Sequence, residues 1–266
     1  MRTLTMRTLT MRTLTACVLL PLATTAAAQT VAEHVVQGDE AYARLDPPAA
    51  LAHYEAALAL DSTNYDALWK AARSVVDIGK QMDDKQKKVR DSLYAVADHY
   101  ARAAVEANPE GADGYFMLGY AVGQLALTRG SKERVAYATE IREAAVTALE
   151  LDSLHDGAHH VLGRWHAEIM RLPGITKFFA KTFLGARVFN EASWDNAVRH
   201  LERAVEINPT NVYHHLDLAE VYLDLKQPER ARPHLEQLLE LPNSDVMDPT
   251  YKEEARAHLA QRTGSG

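Results

Sequence analysis

The feature that most constrains this chain is an internal repetition of helix ends. Four segments close alike: ALALDSTN at Asn64, AAVEANPE at Glu110, TALELDSL at Leu154 and AVEINPTN at Asn211. Each precedes another helix-periodic apolar stretch, which makes the chain a series of recurring units. Setting Ser62, Pro109, Ser153 and Pro209 at one shared position fixes the register, and units then begin near Val31, Tyr65, Ala112, Asp156 and Val212. The eighth residue of each first helix becomes Gly38, Ala72, Gly119, Gly163 or Ala219. The matching position of the second helix holds Ala57, Ala104, Ala148 and Ala204, with Leu238 in the last unit. Small side chains at a crossing let two helices approach closely, whereas larger ones hold them apart.

Helix pairs with this spacing and these small positions resemble the tetratricopeptide repeat (TPR). The expected architecture is all-α: a right-handed TPR-like superhelical solenoid of about five helix pairs plus a C-terminal capping helix, one domain over residues 31–262. The first unit measures 34 residues, and the middle three measure 47, 44 and 56 between successive starts. Their excesses fall between the two helices of each unit. In the second and third units the added sequence is charged, QMDDKQKKVRDSL and TRGSKERVAYAT, and reads as solvated helical extension. Asp248-Pro249 provides an N-cap and a first-turn proline for a last helix through about Arg262, with Tyr251, Ala255 and Leu259 as its apolar stripe.

The N-terminus reads as a targeting segment. Three copies of MRTLT place Arg2, Arg7 and Arg12 ahead of an apolar run from Ala16 to Leu22, and Ala26 to Ala28 supply a small-residue cleavage site. Residues 1–28 are therefore expected to be a cleavable signal peptide cut after Ala28, which makes the protein exported, periplasmic or extracellular. The only cysteine, Cys17, follows Leu14-Thr15-Ala16, but the apolar run lies after it, which favours ordinary cleavage over a lipoprotein anchor. The formal charge is -7. An acidic surface argues against nucleic acid as the principal partner, since phosphate binding needs a basic one.

Several stretches also resemble the regulator of microtubule dynamics family. The residues that carry the likeness are Ala158-His159-His160-Val161-Leu162-Gly163-Arg164-Trp165, the long insertion after Met170, the Ala197-Val198 helix and Leu239-Glu240-Leu241-Pro242. The resemblance implies a TPR-like helical domain. In the tethering member, of the protein tyrosine phosphatase-interacting protein 51 type, it implies a domain that binds phospholipid as well as protein. The present chain differs in its export signal.

TPR solenoids usually hold ligands on the concave face formed by the first helices. There the fifth and ninth positions of the three central units give Trp69 and Arg73, Phe116 and Tyr120, and His160 and Arg164. Aromatic or imidazole groups one turn from arginines would suit a ligand with an apolar body and an anionic end, because the guanidinium is a planar fork for carboxylate or phosphate. The alternative is that the aromatic rings pack between helices and the arginines pair with neighbouring carboxylates.

The insertion at 171–190 reverses the chain's composition. It holds four of the five phenylalanines, with Arg171, Lys177, Lys181 and Arg187 and no acidic residue. After Pro173-Gly174, helical spacing sets Ile175, Phe178, Phe179 and Phe183 on one face and turns Lys177 and Lys181 away. Three roles fit such a helix: a lid on the groove, a contact with an anionic membrane, or a filler of the solenoid.

The doublets His159-His160 and His214-His215 recur one unit apart in the first helices, which favours repeat packing over a metal site; zinc wants three or four convergent ligands. No G-x-S-x-G, H-E-x-x-H, Walker or dinucleotide motif occurs. The expected function is a non-catalytic TPR scaffold or adaptor that binds a protein or peptide partner in its concave groove, without cofactor. The second reading is lipid or amphiphile binding or transfer in the same groove.

Overall fold

The computed structural model describes residues 29–173 and 187–263. Among them the chain forms eleven α-helices and two short 3-10 turns, and no strand. Five first helices, α1 (Val31–Ala43), α3 (Tyr65–Lys80), α5 (Ala112–Ala126), α7 (Asp156–Arg171) and α9 (Val212–Asp224), alternate with second helices. The latter are α2 (Pro47–Leu60), α4 (Lys87–Ala107), α6 (Ser131–Leu151), α8 (Trp194–Ile207) and α10 (Pro228–Glu240), and α11 (Asp248–Thr263) closes the stack. The first helices start at the five residues where the repeat register places unit starts. This is a right-handed TPR-like solenoid.

Four inter-unit turns share one backbone hydrogen bond. The backbone N–H groups of Asp61, Asn108, Asp152 and Asn208 donate to the carbonyls of Ala57, Ala104, Ala148 and Ala204 at 2.8 to 3.0 Å, which ends α2, α4, α6 and α8. The side-chain oxygens of Asp61, Asn108 and Asp152 then accept the N–H two residues on, at 2.9 to 3.1 Å, a local turn that short Asx side chains favour. Asn64, His155 and Asn211 cap the helices that follow, accepting from Ala67, Ala158 and both Tyr213 and His214. Gly111 has no side chain for that task. The Tyr65 hydroxyl from the preceding unit accepts the Gly114 N–H at 2.8 Å instead, and a Cβ on Gly111 would sit 2.3 Å from that hydroxyl.

Close helix approach explains the small positions. A Cβ on Gly38 would lie 2.4 Å from the Tyr54 ring of α2, and one on Gly163 would lie 2.7 Å from Leu201 Cγ of α8. Ala57, Ala104, Ala148, Ala204 and Leu238 are all fully buried. The helix-to-helix turns of the two uninserted units are tight and use a non-glycine residue in the left-handed region, Leu45 at φ 59° and Lys226 at φ 60°. Pro47 and Pro228 follow as first helical residues, where a missing N–H costs nothing.

The second and third units place their additional residues in longer second helices. Helices α4 and α6 each run 21 residues, against 14 for α2 and 13 for α10. Lys87, Lys88 and Val89 at the start of α4 are exposed, as expected of a solvated extension. In α11, Asp248 is the first helical residue, and its carboxylate accepts the N–H groups of Ser244 at 2.7 Å and Asp245 at 2.9 Å. It therefore secures the loop that leads into the helix. Tyr251 and Ala255 are buried, and Leu259 packs on the same core.

Two substitutions separate crossing distance from turn strain. Gly163→Leu forces α7 away from α8 and is expected to cost about 1–3 kcal/mol, the range for overpacking. Lys226→Gly relieves a left-handed residue and should stabilise by roughly 1 kcal/mol. Urea unfolding of both variants beside the unaltered protein measures each sign.

Candidate functional site

Helices α5, α6 and α7 enclose a cavity of about 510 Å³ on the third and fourth units. It exists because α5 faces it with Gly119, Gly123 and Ala126. A Cβ added to Gly123 would meet only Ile141 Cδ1, at 3.9 Å, so the space beyond it is open. The remaining walls are Ala138 and Ile141 of α6 and Val161, Trp165 and Ile169 of α7, with Phe189 at one end. Trp165 is fixed by its indole N–H, which donates to the Ala138 carbonyl at 2.6 Å, and its ring meets Phe189 edge-on.

Polar groups rim this cavity, and their charges are largely answered within the protein. Arg164 lies 3.3 Å from Asp217 and 3.9 Å from Glu168, with its guanidinium 5.3 Å from the Tyr213 ring. Arg134 donates to the carbonyls of Arg129 and Leu127 at 2.9 and 3.0 Å and so caps the end of α5. His160 is 4% exposed and its Nε2 sits 3.0 Å from Asp217 Oδ2. Burial pushes the His160 imidazole down to about 4 against the pull of Asp217. The Asp217 carboxylate is held below its usual range because Arg164 and His160 outweigh the effect of burial.

A second polar cluster occupies the concave interior nearer the first units. Lys80 of α3 donates to the Tyr120 hydroxyl at 2.8 Å, and its ammonium lies 5.1 and 5.2 Å from the rings of Tyr213 and Tyr251. Those two rings stack at 4.3 Å. One cation thus ties α3 to α5, α9 and α11 through aromatic faces, an arrangement that is stronger when desolvated. Tyr42 donates to Asp77 at 2.7 Å; burial raises the Asp77 carboxyl to about 7, with Asp245 adding to the shift and Lys80 opposing it.

The six groove residues read from the sequence separate into two groups. Tyr120, His160 and Arg164 meet at the cavity. Trp69 and Arg73 lie elsewhere on the concave side, where the Arg73 guanidinium stacks 3.6 Å from the Tyr42 ring and 5.1 Å from Trp69. Phe116 seals a junction between units, against His155 at 4.8 Å and over Gly157, where a Cβ would fall 2.6 Å from the ring. Lys177, Phe178, Phe179, Lys181 and Phe183 of the insertion lie outside the described residues.

Sequence reasoning missed Lys80, Asp77, Tyr42, Tyr213, Gln124 and Glu168. Five of the six occupy the second, twelfth and thirteenth positions of first helices, which also face inward, so extending the same count would have found them. Removing the anion that Arg164 and His160 share should be costly. Asp217→Asn is expected to destabilise the fold by about 3 kcal/mol, the low end for breaking a buried pair, because Arg164 retains solvent contact. Thermal melting at pH 7.5 measures it.

Comparison with known proteins agrees with the fold. A protein of similar fold is a thermophilic TPR protein of Thermus thermophilus, whose crystal structure superposes with a TM-score of 0.61 at 20% identity and covers 86% of this chain and 100% of that one. Regulator of microtubule dynamics protein 3 of Rattus norvegicus is 25% identical over 194 residues, 71% of this chain and 40% of the rat protein. Regulator of microtubule dynamics protein 1 of Bos taurus is 23% identical over 197 residues, 73% of this chain and 61% of the bovine one. The chain thus matches less than two thirds of the length of either relative. Residues 34–263 match the family described as regulator of microtubule dynamics protein 1-3, and the chain belongs to that family.

Proposed function

We propose that this protein is a non-catalytic TPR scaffold, and that it takes an apolar portion of a protein or peptide partner into the cavity between α5, α6 and α7. The observation that carries this reading is the composition of the cavity. Its walls are apolar and aromatic, its volume of about 510 Å³ lies in the range of ligand pockets, and a few polar groups gather at its rim. Arg164 and Arg134 are already engaged by Asp217 and by backbone carbonyls. Apolar side chains therefore suit the site better than an anionic head group, which would have to compete for those cations. Helix-lined apolar grooves bind partner segments by this means. The lipid reading rests on the same cavity and is decided by the same experiment.

Gly123→Phe fills the cavity without a backbone clash, since only Ile141 Cδ1 lies within 4 Å of the new Cβ. Peptides selected from a displayed random library on the unaltered protein should bind this variant at least tenfold more weakly, about 1.4 kcal/mol, at equal or higher melting temperature. Equal binding, or a library that yields no binder, contradicts the peptide reading. Lipid recovered by organic extraction and mass spectrometry of the purified protein would transfer the site to the amphiphile reading.

The site of action is proposed to lie outside the cytoplasm. Arg2, Arg7 and Arg12 followed by the apolar Ala16 to Leu22 and the Ala26 to Ala28 run support export. The intact mass of the mature protein, expressed from its own start in a secreting host, should correspond to a chain that begins at Gln29.

A further inference from the structure

Six histidines of the fourth and fifth units meet in three pairs through the same atoms. Nδ1 faces Nδ1 at 3.0 Å between His159 and His200, at 2.9 Å between His160 and His214, and at 3.0 Å between His215 and His234. The first pair joins α7 to α8, the second joins α7 to α9 and the third joins α9 to α10. Four consecutive helices are thus bridged in series by imidazoles. The doublets allow this because adjacent helical residues point about 100° apart, so His159 and His215 reach their own second helices while His160 and His214 reach each other.

In two of the pairs the surrounding acceptors fix where the protons sit. His159 Nε2 faces the Ser153 carbonyl at 3.2 Å, and His215 Nε2 faces the Pro209 carbonyl at 3.0 Å. A carbonyl only accepts, so both Nε2 atoms carry hydrogen and both Nδ1 atoms accept. His200 and His234 must then donate from Nδ1. The middle pair differs: His214 Nε2 faces the Asp156 carboxylate at 3.1 Å and His160 Nε2 faces that of Asp217 at 3.0 Å, so each ring has an acceptor at Nε2 and these acceptors assign no single Nδ1 donor. Each bond holds one proton between two nitrogens. When both rings of a pair are protonated, two N–H groups confront one another and the bond is lost.

We propose that these three imidazole pairs form an acid-operated latch, which holds α7 to α10 together at neutral pH and is undone by proton uptake under mildly acidic conditions. The first units are outside its reach. His34 and His53 occupy the equivalent positions there, but their rings are 6.3 Å apart and His34 Nδ1 has no hydrogen-bond partner.

Groups facing each pair act as follows. Burial pushes His200 and His234 down to about 4 and lowers His159 and His215. Around His159 and His200, nearby His155, His166, Arg199 and Arg203 add to the lowering. His166 stacks on His200 and is itself pushed down to about 4 by burial, with Arg142 adding and Glu191 opposing. Around His234, His215 and Arg230 lower and Glu202 raises, and the Tyr222 ring lies alongside. His160 meets Asp217, Arg164 and the Tyr213 ring, and the outer groups Glu220, Glu254 and His258 lie near Asp217. Folded values below the ordinary imidazole value mean that the unfolded chain binds more protons in acid. The stabilisation is therefore complete above about pH 6.5 and is lost as pH falls from there towards 4.

Two measurements on the full mature chain test the latch. Long-range 15N correlation spectra of the histidine side chains at pH 7.5 should show His159 and His215 protonated at Nε2, and His200 and His234 at Nδ1. The opposite tautomer at His200 or His234 overturns the proposal. The second compares the unfolding constant at pH 6.5 and pH 4.5 in the unaltered protein and in the double variant His159→Leu/His200→Leu, whose paired apolar replacement leaves no buried nitrogen unsatisfied. The variant should remain folded at pH 7.5 and lose on the order of tenfold or more of the acid-induced rise in that constant. Should the double variant be unfolded, the single variant His234→Gln serves, with the same reduction expected. An unchanged acid dependence in the folded variant overturns the latch, and so does a zinc-induced rise in the melting temperature, because metal would take the place of the Nδ1 protons.

Discussion

Everything in this solenoid depends on how closely the two helices of a unit can cross. At Gly38 and Gly163 the partner side chain, Tyr54 or Leu201, stands where a Cβ would otherwise be. Ala57, Ala104, Ala148 and Ala204 then nest against the neighbouring unit with no exposed surface. Dispersion and apolar burial act over such short distances that a single added methylene is felt. The Asx turns at Asp61, Asn108 and Asp152, and the Asn208 side chain that accepts from the Thr210 hydroxyl, fix the chain direction between units, so the small positions fall at the crossing each time.

The same economy of side-chain volume creates the candidate site. In α5 the inward face continues small from Gly119 to Gly123 and Ala126, while α6 is prolonged beyond an ordinary second helix. Space that would be filled in a regular unit is left between α5, α6 and α7. Nearer the first units, Lys80, Tyr120, Tyr213 and Tyr251 fill the concave interior instead. Curvature brings Tyr251 of α11 within reach of Lys80 of α3.

How much of this was legible follows from the range of each interaction. Unit starts, turns and crossing positions are set by residues within one or two turns of each other, and the register located α1, α3, α5, α7 and α9 at their first residues. The site was legible only in part. Tyr120, His160 and Arg164 meet, but Trp69 and Arg73 belong to a different stretch of the surface, because superhelical curvature decides which inward positions share a space. The contact of Lys80 with Tyr251 joins residues far apart in the chain, and no local pattern marks it. The histidine doublets carried a signal that was read too narrowly. His159 and His215 share the fourth position of their units while His160 and His214 flank it on opposite sides, and the step of about 100° between neighbours implies two different partners for each doublet.

The proposal is that a partner segment enters the apolar cavity of this repeat frame between α5, α6 and α7. A crystal structure of the protein with a library-selected peptide tests that claim most directly. The account predicts peptide side chains inside the cavity against Gly123, Trp165 and Ile169, with Tyr120, His160 and Arg164 at the rim. A peptide seated along the second helices, with the cavity empty, would contradict it.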